Sequence, residues 1–235
     1  TGYRQKEDFG ASETGVSFGK YYKNSSADYD FVPMDHNTPL AANAYPKTGP
    51  VIITEIMYHP TWPADANGTY VSNAYEYIEL LNISGDDVTL YDSNENLPWK
   101  FTDGIDYTFG SPPSAVTIAA GARILVVKNP AAFSWRYPSV PTDIIYGPYS
   151  GWLANEGEKL ELARHGDIDE QGIRHYIRVE MVNYSDGSHS GGEPGDADLW
   201  PAEADGQGKS LNRTGMTQYG SDPNNWTAET PTPGS

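Results

Sequence analysis

The chain has 235 residues, 32 of them acidic against 15 basic, for a formal charge of −17. No Lys/Arg cluster interrupts that excess, which argues against a phosphate backbone or an anionic membrane surface as a partner. Cysteine is absent, which excludes disulfides and thiolate metal sites, and no apolar stretch reaches the length of a membrane span.

Residues 1–49 are polar. Only Val16-Ser17-Phe18-Gly19 and Tyr29-Asp30-Phe31-Val32 read as strands, and the stretch closes with Thr38-Pro39-Leu40-Ala41-Ala42-Asn43. The far end of the chain runs Ser210-Leu211-Asn212-Arg213, then Asp222-Pro223-Asn224-Asn225-Trp226, then Thr230-Pro231. The two ends match in order and approximate spacing. Ser17-Phe18 answers Ser210-Leu211, Phe31 answers Trp226, and Thr38-Pro39 answers Thr230-Pro231. This reads as an internal repeat of one terminal element. Residues 1–49 then look like the closing segment of a preceding domain of similar type, and are expected to pack less completely than the rest. The other reading is an N-terminal extension with coincidental Thr-Pro chemistry.

The core domain is expected over residues 50–235. Val51 to Tyr58 is its first strand, a polar loop spans 59–74, and Tyr75 to Asn82 is the next strand. Asp87 to Tyr91 follows a Ser84-Gly85-Asp86 turn. Lys100-Phe101-Thr102 and Asp106-Tyr107-Thr108-Phe109 flank an Asp103-Gly104 turn and read as a hairpin. Val116 to Ile118 and Arg123 to Val127 flank Ala119-Ala120-Gly121. One short helix is expected: Asn129 caps it, Pro130 suits its first position, and Pro138 stops the run Ala131 to Tyr137. Ile144 to Tyr146, Lys159 to Ala163 and Tyr176 to Val182 complete the strands. In the last of these, Ile177, Val179 and Met181 are expected on one face, with Arg178 and Glu180 on the other. Many short strands between turn signals argue for an all-β antiparallel sandwich with one short helix.

Several motifs recur in order along this stretch. They are Glu55-Ile56-Met57-Tyr58, Glu79-Leu80-Leu81-Asn82, Trp99-Lys100-Phe101-Thr102-Asp103-Gly104, Ile124-Leu125-Val126-Val127 and Asn155-Glu156-Gly157-Glu158-Lys159-Leu160-Glu161-Leu162. Trp200-Pro201, Ser210-Leu211 with Arg213, and Asp222 to Trp226 close the series. Over residues 51–234 the chain resembles the bacterial lamin-tail domains of large exported multidomain proteins. The resemblance implies an immunoglobulin-like sandwich with no established catalytic residues, and with Trp99, Trp200 and Trp226 as core anchors. Residues 185–196, rich in Gly, Ser and Asp, depart from it as an insertion and a candidate recognition loop.

Four constellations have candidate chemistry. Glu55 and Glu79 lie on strands expected to be neighbours, and paired carboxylates can cleave a glycosidic bond. The bland alternative is pairing with Arg, Lys or backbone N–H groups. Asp167 and Asp169 alternate on a turn, as oxygen ligands of Ca2+ do, against the alternative of a capped, solvated turn. Asp92-Ser93-Asn94-Glu95-Asn96 alternates too, but Leu97 stands where an EF-hand loop needs Gly. Trp62, Tyr149 and Trp152 lie in loops and are the candidate aromatic platform for a sugar ring. The five histidines show no paired zinc spacing, and Gly187-Ser188-His189-Ser190-Gly191 has the wrong spacing for a nucleophile elbow.

The expected function is a non-catalytic binding or spacer module of a secreted or cell-surface protein. Its partners would be neighbouring domains of the same chain and a polysaccharide or protein ligand. One alternative is a carbohydrate-binding accessory module beside a hydrolase, and a second is a glycoside hydrolase using Glu55 and Glu79. Residues 1–20 have no apolar signal core, so the chain reads as a fragment whose export signal lies upstream.

Overall fold

The computed structural model describes residues 9–23, 28–61, 71–189 and 197–235. The fold is β-rich, with several sheets and one α-helix. β1 (Phe18–Lys23) and β2 (Asp28–Pro33) form a hairpin of their own. β3 (Val51–Met57) and β4 (Tyr77–Asn82) start the main sheet. Short ladders follow: β5 (Val88–Thr89) with β9 (Thr117–Ile118), and β6 (Tyr91–Asp92) with β7 (Leu97–Pro98). β8 (Lys100–Asp103), β10 (Arg123–Val127), α1 (Pro130–Arg136) and β11 (Ile145–Tyr146) come next. A long hairpin, β12 (Gly157–Ile168) with β13 (Arg174–Ser185), precedes the closing pair β14 (Ser210–Arg213) and β15 (Trp226–Glu229).

The six-stranded sheet runs β11-β10-β4-β3-β14-β15 and the three-stranded sheet β13-β12-β8. One large apolar cluster draws on both. Ile56, Ile78, Leu80 and Val126 come from the first, and Phe101, Leu162, Val182 and Tyr184 from the second. Each such aliphatic side chain removed from water contributes roughly 2 kcal/mol. Trp99, Trp200 and Trp226 are buried in this cluster.

Every residue of β3 and β4 is buried, so the six-stranded sheet is covered on both faces. Strand alternation assigns the faces. Ile124 and Val126 of β10 point into the large cluster. Leu125 and Val127 point the other way, into a second cluster with Met57, Tyr77 and Phe133 of α1. A bulge in β3 between Ile53 and Glu55 resets the alternation. Val51 and Ile53 precede it in the core, Ile56 and Tyr58 follow it there, and Glu55 pairs across to Glu79.

The helix follows its sequence signals. The Asn129 side chain accepts hydrogen bonds from the Ala131 and Ala132 amides at 3.1 and 3.2 Å, and Pro130 opens the helix. The turn at Gly104 closes the expected hairpin. The Phe101 amide donates to the Tyr107 carbonyl at 2.9 Å, and the Phe109 amide to the Trp99 carbonyl at 3.0 Å.

Two expectations need correction. The pairing is not antiparallel throughout: β11 pairs parallel with β10, because α1 carries the chain back to the start of the sheet edge before β11 begins. Nor do Arg178 and Glu180 share a face. A register shift opposite Leu162/Ala163 inserts one residue into β13. Glu180 then lies opposite the core residue Leu162 and is buried, while Arg178 turns outward to Glu161 at 3.1 Å.

Candidate functional site

The β3 bulge and the β3–β4 register bring Glu55 and Glu79 together on one face, as the sequence suggested. Both are buried, and each accepts three hydrogen bonds from the surrounding fold. Glu55 Oε1 accepts from the Tyr77 hydroxyl (2.6 Å), the Ser210 hydroxyl and the Thr232 amide (3.0 Å). Glu79 accepts from the Thr54 hydroxyl (2.6 Å), Arg123 Nε (2.9 Å) and the Gly234 amide (2.7 Å). Burial raises the Glu55 carboxyl; the Ser210, Tyr77 and Thr232 bonds oppose the rise, the Glu79 charge adds to it, and the group stays above its ordinary range. The pair clasps the C-terminal tail over the sheet.

Of the two described residues of the aromatic platform, Trp152 is at the surface, 66% exposed. Tyr149 is not: it is 3% exposed and lies in the core. Its hydroxyl donates to Glu76 at 2.8 Å, and the same oxygen of Glu76 accepts the Leu153 amide at 2.9 Å. The expected exposure of Tyr149 fails because the chain turns its ring inward, where its hydroxyl meets the buried Glu76 carboxylate. Tyr149 and Leu153 turn inward and Ser150, Gly151 and Trp152 outward. Trp62 lies outside the described residues.

The turn after β12 uses Asp169 as a cap. Asp169 Oδ1 accepts the Gln171 and Ile173 amides at 2.9 and 2.8 Å, and Oδ2 meets His175 Nε2 at 3.0 Å. The Ile173 amide, with the His175 and Gln171 bonds, holds the Asp169 carboxyl below its usual range against the opposing effect of burial. Asp167 is exposed beside it. Ca2+ needs six to eight oxygens, and among the described residues no third metal-binding side chain joins these two.

A different group does converge. Asp186, His189 and Asp198 bring three donor atoms within 4.8 Å of one another. They sit by a cleft of about 410 Å³ whose walls include Glu158, Tyr184, Ser185 and Trp200. Carboxylate oxygens and an imidazole can hold a divalent transition metal. Here they also build the turn. Asp186 accepts the Ser188 amide (2.8 Å) and hydroxyl (2.9 Å), and Asp198 accepts the Ser185 hydroxyl (2.5 Å) and the Trp200 amide (3.1 Å). Burial raises the Asp186 carboxyl, but the Ser188 bonds and His189 outweigh it and leave the group below its ordinary range.

Ser185 gives this cluster a superficial likeness to a hydrolytic triad. Ser185 Oγ lies 3.0 Å from His189 Nδ1, but Asp186 also faces Nδ1, at 3.3 Å. A triad needs the nucleophile's hydroxyl and the orienting carboxylate on opposite nitrogens of the histidine ring. The Ser185 hydroxyl is moreover directed to Asp198. The sequence marks residues 185–196 as an insertion and a candidate recognition loop, without a metal-binding group. The Asp186-x-x-His189 spacing was the one available signal, and Asp198 joins it from further along the chain.

The chain matches no protein-family model, no curated protein and no solved structure.

Proposed function

We propose that the chain is a non-catalytic binding or spacer module of an exported multidomain protein, built as a lamin-tail-like, immunoglobulin-like sandwich. One observation carries the non-catalytic reading. The two carboxylates best placed for acid–base work are buried, and each accepts three hydrogen bonds from the fold itself. A catalytic pair must instead face a substrate and exchange protons with it. The ordered series of strand motifs and the apolar cluster shared between two sheets support the sandwich.

The exposed ring of Trp152 supports a second reading, an accessory module that stacks one sugar ring. A glycan array and a panel of chromogenic glycosides separate these functions. Silence on both is expected for the spacer. An array signal abolished by Trp152→Ala would assign the sugar-binding role, and turnover lost in Glu79→Gln would overturn the non-catalytic reading.

A further inference from the structure

The hairpin β1–β2 has the same build as the hairpin β14–β15. In the closing pair, Leu211 lies opposite Ala228 and Arg213 opposite Trp226. In the first pair, Phe18 lies opposite Pro33 and Lys20 opposite Phe31. If Phe18 is set on Leu211 and Phe31 on Trp226, both cross-strand registers coincide, with a basic residue facing an aromatic ring in each. The hydrogen-bonding parity coincides as well. The Met34 amide donates to the Ser17 carbonyl at 2.8 Å, so alternation turns the Phe18 and Tyr22 backbone groups away from β2. In the closing pair the Thr214 amide donates to the Asn225 carbonyl at 2.8 Å, so the same alternation turns Leu211 away from β15 and toward β3. Ring contacts repeat too: Phe9 meets Phe31 at 6.0 Å, as Trp200 meets Trp226 at 5.9 Å. Thr38-Pro39 follows β2 as Thr230-Pro231 follows β15.

What differs is the surroundings. β14 has β3 on its other side, and Leu211 and Trp226 are buried. β1 has only β2 beside it among the described residues. Phe18 and Phe31 are half-exposed, and Phe9, which touches both, is 65% exposed. Leu40, at the position of Thr232, is fully exposed. On the outer edge of β1, the Asn43 side chain donates to the Lys20 carbonyl at 3.1 Å. An extended edge beside uncovered apolar side chains is a template for one more strand.

We infer that residues 9–43 are the closing hairpin of a second domain of the kind formed by residues 50–235. Its occupant is a β3-like strand of that domain, carried ahead of the hairpin in the same polypeptide. That strand has an acidic residue where β3 has Glu55. The Ser17 hydroxyl and the Leu40 amide are the donors for it, as the Ser210 hydroxyl and the Thr232 amide are for Glu55. The inference deepens the spacer reading by naming the partner: one domain is sealed by the leading segment of the next.

The test places residues 50–199 ahead of the intact 235-residue chain, so that only β1–β2 can close the upstream unit. Two folded units are expected by calorimetry. The Phe18 amide should exchange at least about tenfold more slowly than in the single chain. Phe18→Asp should unfold the upstream unit and leave the melting of residues 50–235 in the single chain unchanged. An upstream segment that stays unprotected, or that folds equally well with Phe18→Asp, overturns the inference. So does β1 protection in the single chain that grows with concentration, which would give the edge to a second copy. Glycan binding or turnover by the unmodified chain would sink the spacer reading on a separate readout.

Discussion

Arg213 shows how much one side chain does here. Its guanidinium donates to the Ile53 carbonyl at 3.0 Å, to Glu180 at 2.8 Å and to the Gln218 carbonyl, and it lies on the Trp226 ring. Burial raises the Glu180 carboxyl, and Arg213 is the main influence opposing that rise. Arg213→Met should therefore strand a buried charge and cost about 3–5 kcal/mol in urea denaturation; a loss below about 1 kcal/mol would contradict the pairing. Glu76 titrates differently. Burial, only partly offset by the Leu153 amide, the Tyr149 hydroxyl and Lys128, raises its carboxyl to about 7 from the ordinary 4.5. Between those values the folded chain holds the extra proton. Its contribution is complete below about pH 4.5 and declines as pH rises through 7. Glu76→Gln keeps an oxygen for both donors, so the variant should melt a few degrees higher than wild type at pH 8 and show no gain at pH 4. A gain that is the same at both pH values would refute the assignment. Asp169 gives a null result by design: with its oxygens occupied by amides and His175, the melting temperature should be the same in Ca2+ and in chelator, and a shift of several degrees would restore the calcium loop.

At the scale of elements, legibility followed chemistry that is local. Asn129-Pro130 and Pro138 bounded α1 because caps and prolines act within one turn. Asp103-Gly104 marked its hairpin for the same reason. Trp99, Trp200 and Trp226 are buried, as the lamin-tail resemblance implied, and ring size alone would not have picked them out, since Trp135 and Trp152 are exposed. Three things were not legible. The bulges in β3 and β13 depend on which partner strand is opposite, and a one-residue slip there decided where Glu55 and Glu180 point. Tyr149 looked like a loop aromatic because Gly147, Pro148 and Gly151 surround it, yet a buried acceptor 73 residues earlier in the chain, Glu76, holds its hydroxyl. Asp198 meets Asp186 and His189 from nine residues or more further along the chain, a relation that sequence spacing does not encode.

For the molecule as a whole, the C-terminal tail is a structural member. Residues 230–235 lie beyond β15, yet the Thr232 and Gly234 amides satisfy carboxylates buried at the centre of the main sheet. Deleting these six residues should leave Glu55 and Glu79 each one donor short and cost about 2–4 kcal/mol. A lowered urea midpoint with an unchanged far-UV spectrum is the expected result, and an unshifted midpoint would show the clasp to be idle.

The same clasp sets how the molecule would respond to mechanical load. Tension applied at the carboxyl end reaches the Gly234–Glu79 bond first and the Thr232–Glu55 bond next. It then reaches the outermost strand, whose ladder to β14 would open rung by rung instead of giving way at once. The main sheet would thus be shielded behind a sacrificial fastening that can re-close when the pull is released.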